Sequence, residues 1–204
     1  MTNYFAVKNS EPTAGNNQGD VLVTAAAGKG DIKAQRVLAE RLFDHVRRTM
    51  SYLQFGDEAQ DLAQTALIEV LRSASTFRGE CTLEYWADRI VIRVFARHRQ
   101  KFLRRQSLWD QEMTYANEPS LMTDELEALQ MRRRISGILG ELSRKHRTAI
   151  VLHYINGYSI EEVAQLVSAP MNTVRGRIRV GRKKLAALMS EDSLLGDWMS
   201  RRTP

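Results

Sequence analysis

The 204-residue sequence predicts an all-α protein made of two small helical domains, and three observations lead there. Apolar residues recur at the three-and-four spacing of helices, with no strand-like alternation and no internal repeat. Capping and stop signals divide the chain into segments of helical length. Charge is segregated: residues 106 to 131 hold 6 acidic and no basic residues, whereas residues 132 to 189 hold 12 basic against 3 acidic, a net of +9. A chain of this length can enclose two cores of roughly 60 to 80 residues each. The basic segment favours a polyanionic partner, because each phosphate it neutralises releases condensed counterions.

Residues 1 to 19, rich in Asn, Gly, Thr and Pro, read as a poorly ordered tail with no assigned role. The first domain is expected at 20 to 105. Its helical pattern breaks at Gly28 to Gly30, at Phe55 to Asp57 and at Phe77 to Thr82, which leaves about four helices. Within residues 61 to 75, Leu62, Ala63, Ala66, Leu67, Val70, Leu71 and Ala74 form one apolar face. A second face carries Asp61, Gln64, Thr65, Ile68 and Arg72; an apolar knob among polar groups suits a protein interface, and a merely solvated face would look similar.

The break at Phe77, Arg78 and Gly79 reads as a loop between helices. It could receive an unstacked base, with Gly79 permitting close backbone approach, or serve only as a turn. In the helix beyond it, Leu83, Trp86, Ile90 and Val94 take the core side. Arg89, Arg93, Arg97, Lys101 and Arg105 recur every four residues, a basic ridge able to follow a nucleic-acid backbone. Trp86 has two readings, a core aromatic or the wall of a cleft for single-stranded bases.

Residues 106 to 123, with Asn117, Glu118, Pro119 and Ser120 at the centre, lack a sustained period and form the expected linker. The second domain is placed at 124 to 189. Asp124 and Glu127 mark a helix start, and that helix runs to about Gly140. A second helix opens near Ser143 and stops at Asn156 and Gly157. Ser159 and Glu162 make a capping box for a short third helix, ended near Val167 by the turn Ser168, Ala169, Pro170. Pro170 suits the first position of the next helix.

Two helices around so short a turn describe a helix-turn-helix, whose second helix enters the DNA major groove. In that helix Val174, Ile178, Leu185 and Leu188 share a core-facing side, opposite Arg175, Arg179, Arg182 and Lys183. Asn172, Thr173, Arg175 and Arg179 near its start are candidates for contacting DNA, the arginines being able to bond guanine O6 and N7 bidentately. Arg177, Lys183 and Lys184 suit phosphate contacts. Residues 190 to 204 form an extension whose Leu194, Leu195, Trp198 and Met199 could pack on the second domain or meet a regulator.

Several classes are disfavoured. Cys81 is the only cysteine, so neither an internal disulfide nor a cysteine zinc cluster is expected. His45, His98, His146 and His153 are dispersed, and there is no HExxH and no Walker loop. No catalytic residue, metal or cofactor is therefore expected. There is no apolar run of about 20 residues and no secretory start, which makes a cytoplasmic location without membrane insertion the expectation.

The segments LVTAAAGKGDIKA, DLAQTALIEVL, FRGECTLEYWADRIVIR and SIEEVAQLVSAPMNTVRGRIRVGRKKL, in that order, resemble the extracytoplasmic-function (ECF) sigma factors of bacterial RNA polymerase. The resemblance runs from about Val21 to Leu188. It implies a sigma region 2 domain and a sigma region 4 domain, with promoter-directed initiation and DNA melting as the function. Core polymerase would be held by Asp61, Gln64, Ile68 and Arg72. Phe77, Arg78, Gly79, Trp86, Arg89, Arg93, Arg97 and Lys101 would bind and melt the minus-ten element. Asn172, Thr173, Arg175, Arg177, Arg179, Arg182 and Lys183 would bind the minus-thirty-five element. The linker is similar to one that runs through the RNA exit path, and an anti-sigma factor is an implied partner. Thr65, Arg93 and Gly176 depart from the residues usual in the family, so base preference does not transfer. The alternative is a conventional helix-turn-helix regulator that binds operator DNA without being a polymerase subunit.

Overall fold

A computed structural model describes residues 17–56, 58–106 and 134–191. Among the described residues every regular element is helical, as the periodicity predicts. The chain divides into two compact units.

The N-terminal unit holds α1 (Gln18–Gly28), α2 (Ile32–Leu53), α3 (Glu58–Arg72), a 3-10 turn (Ala74–Thr76) and α4 (Leu83–Gln106). The breaks fall where the sequence places them. Gly30, Gly56 and Gly79 each have positive φ, which only glycine adopts without strain. Asp31 caps α2 by accepting from the Lys33 and Ala34 amides. Thr82 does the same for α4, its Oγ1 accepting from the Tyr85 amide at 3.2 Å.

Helix α2 is the central element and packs on α1, α3 and α4. Its stripe Leu38, Leu42, Val46, Met50 and Leu53 is fully buried, as are Ala66 and Val70 of α3 and Leu83, Ala87 and Val91 of α4, the helices it packs on. Each such leucine contributes on the order of 1.5–3 kcal/mol of burial. The contact between α2 and α4 also encloses a polar pair, with His45 Nε2 3.0 Å from Oδ2 of the fully buried Asp88.

One expectation is corrected here. Residues 17 to 19 belong to the folded unit, because α1 starts at Gln18 and Asn17 bonds the loop after the 3-10 turn. Residues 1 to 16 of the expected tail lie outside the described residues.

The C-terminal unit holds a helical stretch α5 (134–140), α6 (Arg144–Ile150), α7 (Ile160–Leu166) and α8 (Met171–Glu191). Helix α6 does not run on as an α-helix to Asn156. Residues Val151–Ile155 form a π-helical turn, closed by bonds from the Asn156 amide to the Val151 carbonyl and from the Tyr158 amide to the Leu152 carbonyl. The capping box forms as expected, Ser159 Oγ accepting from the Glu162 amide and Glu162 Oε2 from the Ser159 amide. Ser168, at φ 48, turns the chain between α7 and α8. Pro170 stands one position earlier than expected: its carbonyl accepts from the Val174 amide, so it precedes the first helical residue, Met171. Gln106, expected in the linker, ends α4, and Ser190 and Glu191, expected in the extension, continue α8; the rest of the expected linker and extension, and the Asp124–Glu127 cap, lie outside the described residues.

Candidate nucleic-acid interface

Helix α3 presents Asp61, Gln64, Ile68 and Arg72 on one exposed face, with Leu62, Ala63, Ala66 and Val70 buried behind it. Ile68 keeps 49% of its surface exposed. Thr65 Oγ1 donates to the Asp61 carbonyl and so is turned onto its own helix. Beside this face lies a shallow cleft of about 70 Å³ between α2 and α3, lined by Phe43, Arg47, Gln60, Gln64 and Leu67 among others. Phe43, half exposed with the Arg47 guanidinium over its ring, was not singled out in the sequence. It lies one residue after Leu42 on the buried stripe of α2, and a large aromatic displaced from such a stripe is the signal that could have found it.

The loop from Phe77 to Thr82 joins the 3-10 turn to α4. Phe77 and Trp86 are both buried, 5% and 8% exposed, and meet edge to face at 5.5 Å. The Trp86 indole N–H points to Thr76 Oγ1 at 3.4 Å. These two rings therefore build the loop's foundation, and neither offers an open face for a base to stack on; the core reading of Trp86 is the one that its burial supports. Arg78 is exposed between Phe77 and Gly79. Gly79 is required twice over, by its φ of 74 and because a Cβ there would come within 2.8 Å of Val21 Cγ2.

Along α4, Arg89, Arg93 and Arg97 are exposed, while Ile90, Val94 and Phe95 are buried. Arg97 also reaches Glu69 of α3 at 3.7 Å, so part of its charge is turned toward its own unit. The side chains of Lys101 and Arg105 fall outside the described residues.

In the C-terminal unit α8 lies across α6 with Val174, Ile178 and Leu185 buried and Leu188 half buried. The crossing is close because residue 181 is glycine, where a Cβ would stand 2.9 Å from Ile150 Cγ1 and 3.3 Å from His146 Cβ. On the opposite side Asn172, Thr173, Arg175, Arg179, Arg182 and Lys183 are exposed, and Arg177 is half buried. Arg175 Nη1 donates to Asn172 Oδ1 at 3.3 Å, and Nη2 lies 4.0 Å from Glu161 of α7. The two helices of the motif thus share the first arginine of the exposed row.

Some basic residues of this segment also make internal bonds. Lys184, expected as a phosphate contact, is exposed and donates to the Glu141 carbonyl, tying α8 to the turn before α6. Arg147 bonds the Gly140 and Leu142 carbonyls at 3.5 and 3.3 Å. Sequence counting cannot separate such internal uses from a free basic face. Among the described residues no group of His, Cys, Asp or Glu could hold a metal. No helix there is long and apolar enough to cross a membrane.

Residues 38–106 match the family model for Sigma-70 region 2, and residues 132–185 match that for Sigma-70, region 4. The chain is 28% identical to the ECF RNA polymerase sigma-E factor of Escherichia coli over 173 residues, 78% of this chain and 88% of the relative. It is 29% identical to the RNA polymerase sigma-H factor of Pseudomonas aeruginosa, over 62% of this chain and 70% of the relative. Two solved structures share the fold at a TM-score of 0.61. One, CnrH with the cytosolic domain of CnrY, is 22% identical and covers 85% of this chain and 99% of that one. The other, the Bartonella quintana sigma factor RpoE with the anti-sigma factor NepR, is 20% identical and covers 79% and 99%.

Proposed function

The chain belongs to the extracytoplasmic-function group of the sigma-70 family, and from that premise we propose how its two units divide the work of a sigma factor. A sigma factor binds core RNA polymerase, directs it to promoters and helps open the DNA. The observation that carries the assignment is the pair of sigma region matches in chain order, 38–106 and then 132–185. Core polymerase is taken by the exposed α3 face of Asp61, Gln64, Ile68 and Arg72, where an apolar knob is ringed by polar groups. The minus-ten element is received by Arg78 and Gly79 of the loop and by the Arg89, Arg93, Arg97 and Lys101 row on α4. Phe77 and Trp86 serve this site by holding the loop.

The minus-thirty-five element is bound by α8. Arg175 and Arg179 read bases with Asn172 and Thr173 beside them, while Arg177, Arg182 and Lys183 contact phosphates. We place the first unit at residues 17 to 106 and the second at 124 to 191, with the acidic linker between them at 107 to 123. The chain acts in the cytoplasm and contributes no catalytic step of its own; the polymerase makes the RNA. An anti-sigma factor is its regulator, a reading supported by the neighbour solved with one.

The test is titration of core polymerase with the chain, followed by run-off transcription on a library of promoter DNA. Wild type should bind core and direct specific transcripts, whereas Asp61→Arg combined with Ile68→Glu should weaken binding and leave helicity intact. A chain that shifted palindromic duplex DNA unaided, and gave no transcript with core, would be a conventional helix-turn-helix regulator.

A further inference from the structure

Helix α1 has no place in the division of labour above, yet one of its faces lies along the loop that carries Arg78. Asn17, Val21, Thr24 and Gly28 follow the spacing of a single helix face. At the far end, a Cβ on Gly28 would stand 2.7 Å from Ser75, so α1 presses against the 3-10 turn. In the middle, Thr24 is fully buried and Val21 sits against Gly79. At the near end Asn17 Nδ2 donates to two loop carbonyls, Gly79 at 2.9 Å and Cys81 at 3.0 Å. Helix α1 is itself fixed to α2 by the pair of Asp20 with Arg41.

The use of Asn17 is unusual for its position. It stands at the N-cap of α1, where an asparagine side chain ordinarily accepts from an amide of its own helix, and here it makes no such bond. Both of its amide hydrogens are directed instead to a segment more than sixty residues away. Arg78 consequently lies between two anchors, the buried Phe77 ring against Trp86 on one side and the Gly79 carbonyl on Asn17 on the other.

We propose that α1 is a splint for this loop and that Asn17 is its positioning residue, holding residues 78 to 81 in the shape that receives an extruded promoter base. The inference rests on the reading of the loop as a base-receiving element. An unsupported loop would have to be ordered at the moment of melting, and that ordering cost would appear in the rate of opening while leaving closed-complex binding unchanged.

Asn17→Asp tests it, because aspartate has the same shape, cannot donate, and sets a carboxylate against the two carbonyls. Holoenzyme carrying this variant is compared with wild type and Arg78→Ala on a duplex promoter and on the same promoter with a premelted bubble. Permanganate reactivity of unpaired thymines and filter binding are read side by side, with thermal denaturation of the free chain. The expected result is about a tenfold loss in opening rate for Asn17→Asp, with unchanged filter binding, a melting temperature lowered by no more than about 4–8 °C so that the chain is still folded at the assay temperature, and recovery on the bubble. Normal opening by Asn17→Asp beside impaired opening by Arg78→Ala would overturn the role of Asn17 alone. Normal opening by both would overturn the reading of the loop and the inference with it. Loss that persists on the bubble, or unfolding of the variant at the assay temperature, would make Asn17 an ordinary structural residue and also overturn the proposal.

Discussion

Trp86 illustrates how far a single residue can be understood from its neighbours in sequence. Its spacing with Leu83, Ile90 and Val94 places it on the core side of α4, and there it is, 8% exposed. Its aromatic character equally suited a stacking wall, and only the contact with Phe77 and Thr76 decides between the two. Trp86→Ala is therefore expected to cost about 3–5 kcal/mol of stability, as truncation of a buried aromatic does. Urea denaturation of the free chain checks this; a variant as stable as wild type would return Trp86 to the open cleft. Residues such as Asn17 and Asp88 were not legible at all. Periodicity says which helix positions face inward, but not which polar group will find a partner on a segment distant in the chain. Glu161 was missed for the same reason, since its approach to Arg175 depends on how α7 meets α8.

Helices were far more legible than contacts, because each carries its own punctuation. Ser159 with Glu162, and the glycines at 30, 56, 79 and 157 within the expected breaks, mark ends that the structure reproduces. The π-helical turn at Val151–Ile155 escaped because apolar residues fill both registers there, and nothing in VLHYI states which carbonyl an amide will choose. The two glycines of α8 make opposite predictions from one helix. Gly181→Ala would force a methyl against Ile150, so it should destabilise the C-terminal unit by roughly 1–3 kcal/mol and tilt the exposed basic row of α8. Gly176→Ala meets nothing within 4 Å and should stabilise the helix by up to about 1 kcal/mol. Chemical denaturation of the two variants measures both signs, and a neutral Gly181→Ala would mean that α8 can slide on α6 without cost.

Across the whole molecule the charge segregation was plain in the sequence, but its meaning had to be apportioned residue by residue. Arg147 bonds two backbone carbonyls and Lys184 one, although Lys184 stays exposed with its charge beside the exposed row of α8. Contacts to phosphate and contacts to bases leave different signatures in binding. Changing Arg182 or Lys183 to alanine should weaken holoenzyme affinity on all promoters alike and lower its salt slope by about 0.9 per contact. Changing Arg179 to alanine should instead cost about 1–3 kcal/mol and relax preference at particular upstream base pairs. Filter binding across a salt series, on matched and mismatched upstream elements, separates the two. A uniform loss for Arg179→Ala would make it one more phosphate contact.

The bonds from Asn17 to Gly79 and Cys81 also have a temporal side, because they join points 62 and 64 residues apart. During synthesis α1 leaves the ribosome long before the loop it will support. It must wait, with its Thr24 face uncovered, until the 3-10 turn and the start of α4 have followed. Long-range closures of this kind are reached late, after the local helices have formed. The shape of the loop is therefore inherited from the completed unit: a peptide cut from residues 75 to 82 would not keep it, and a nascent chain would acquire it only once α4 is in place.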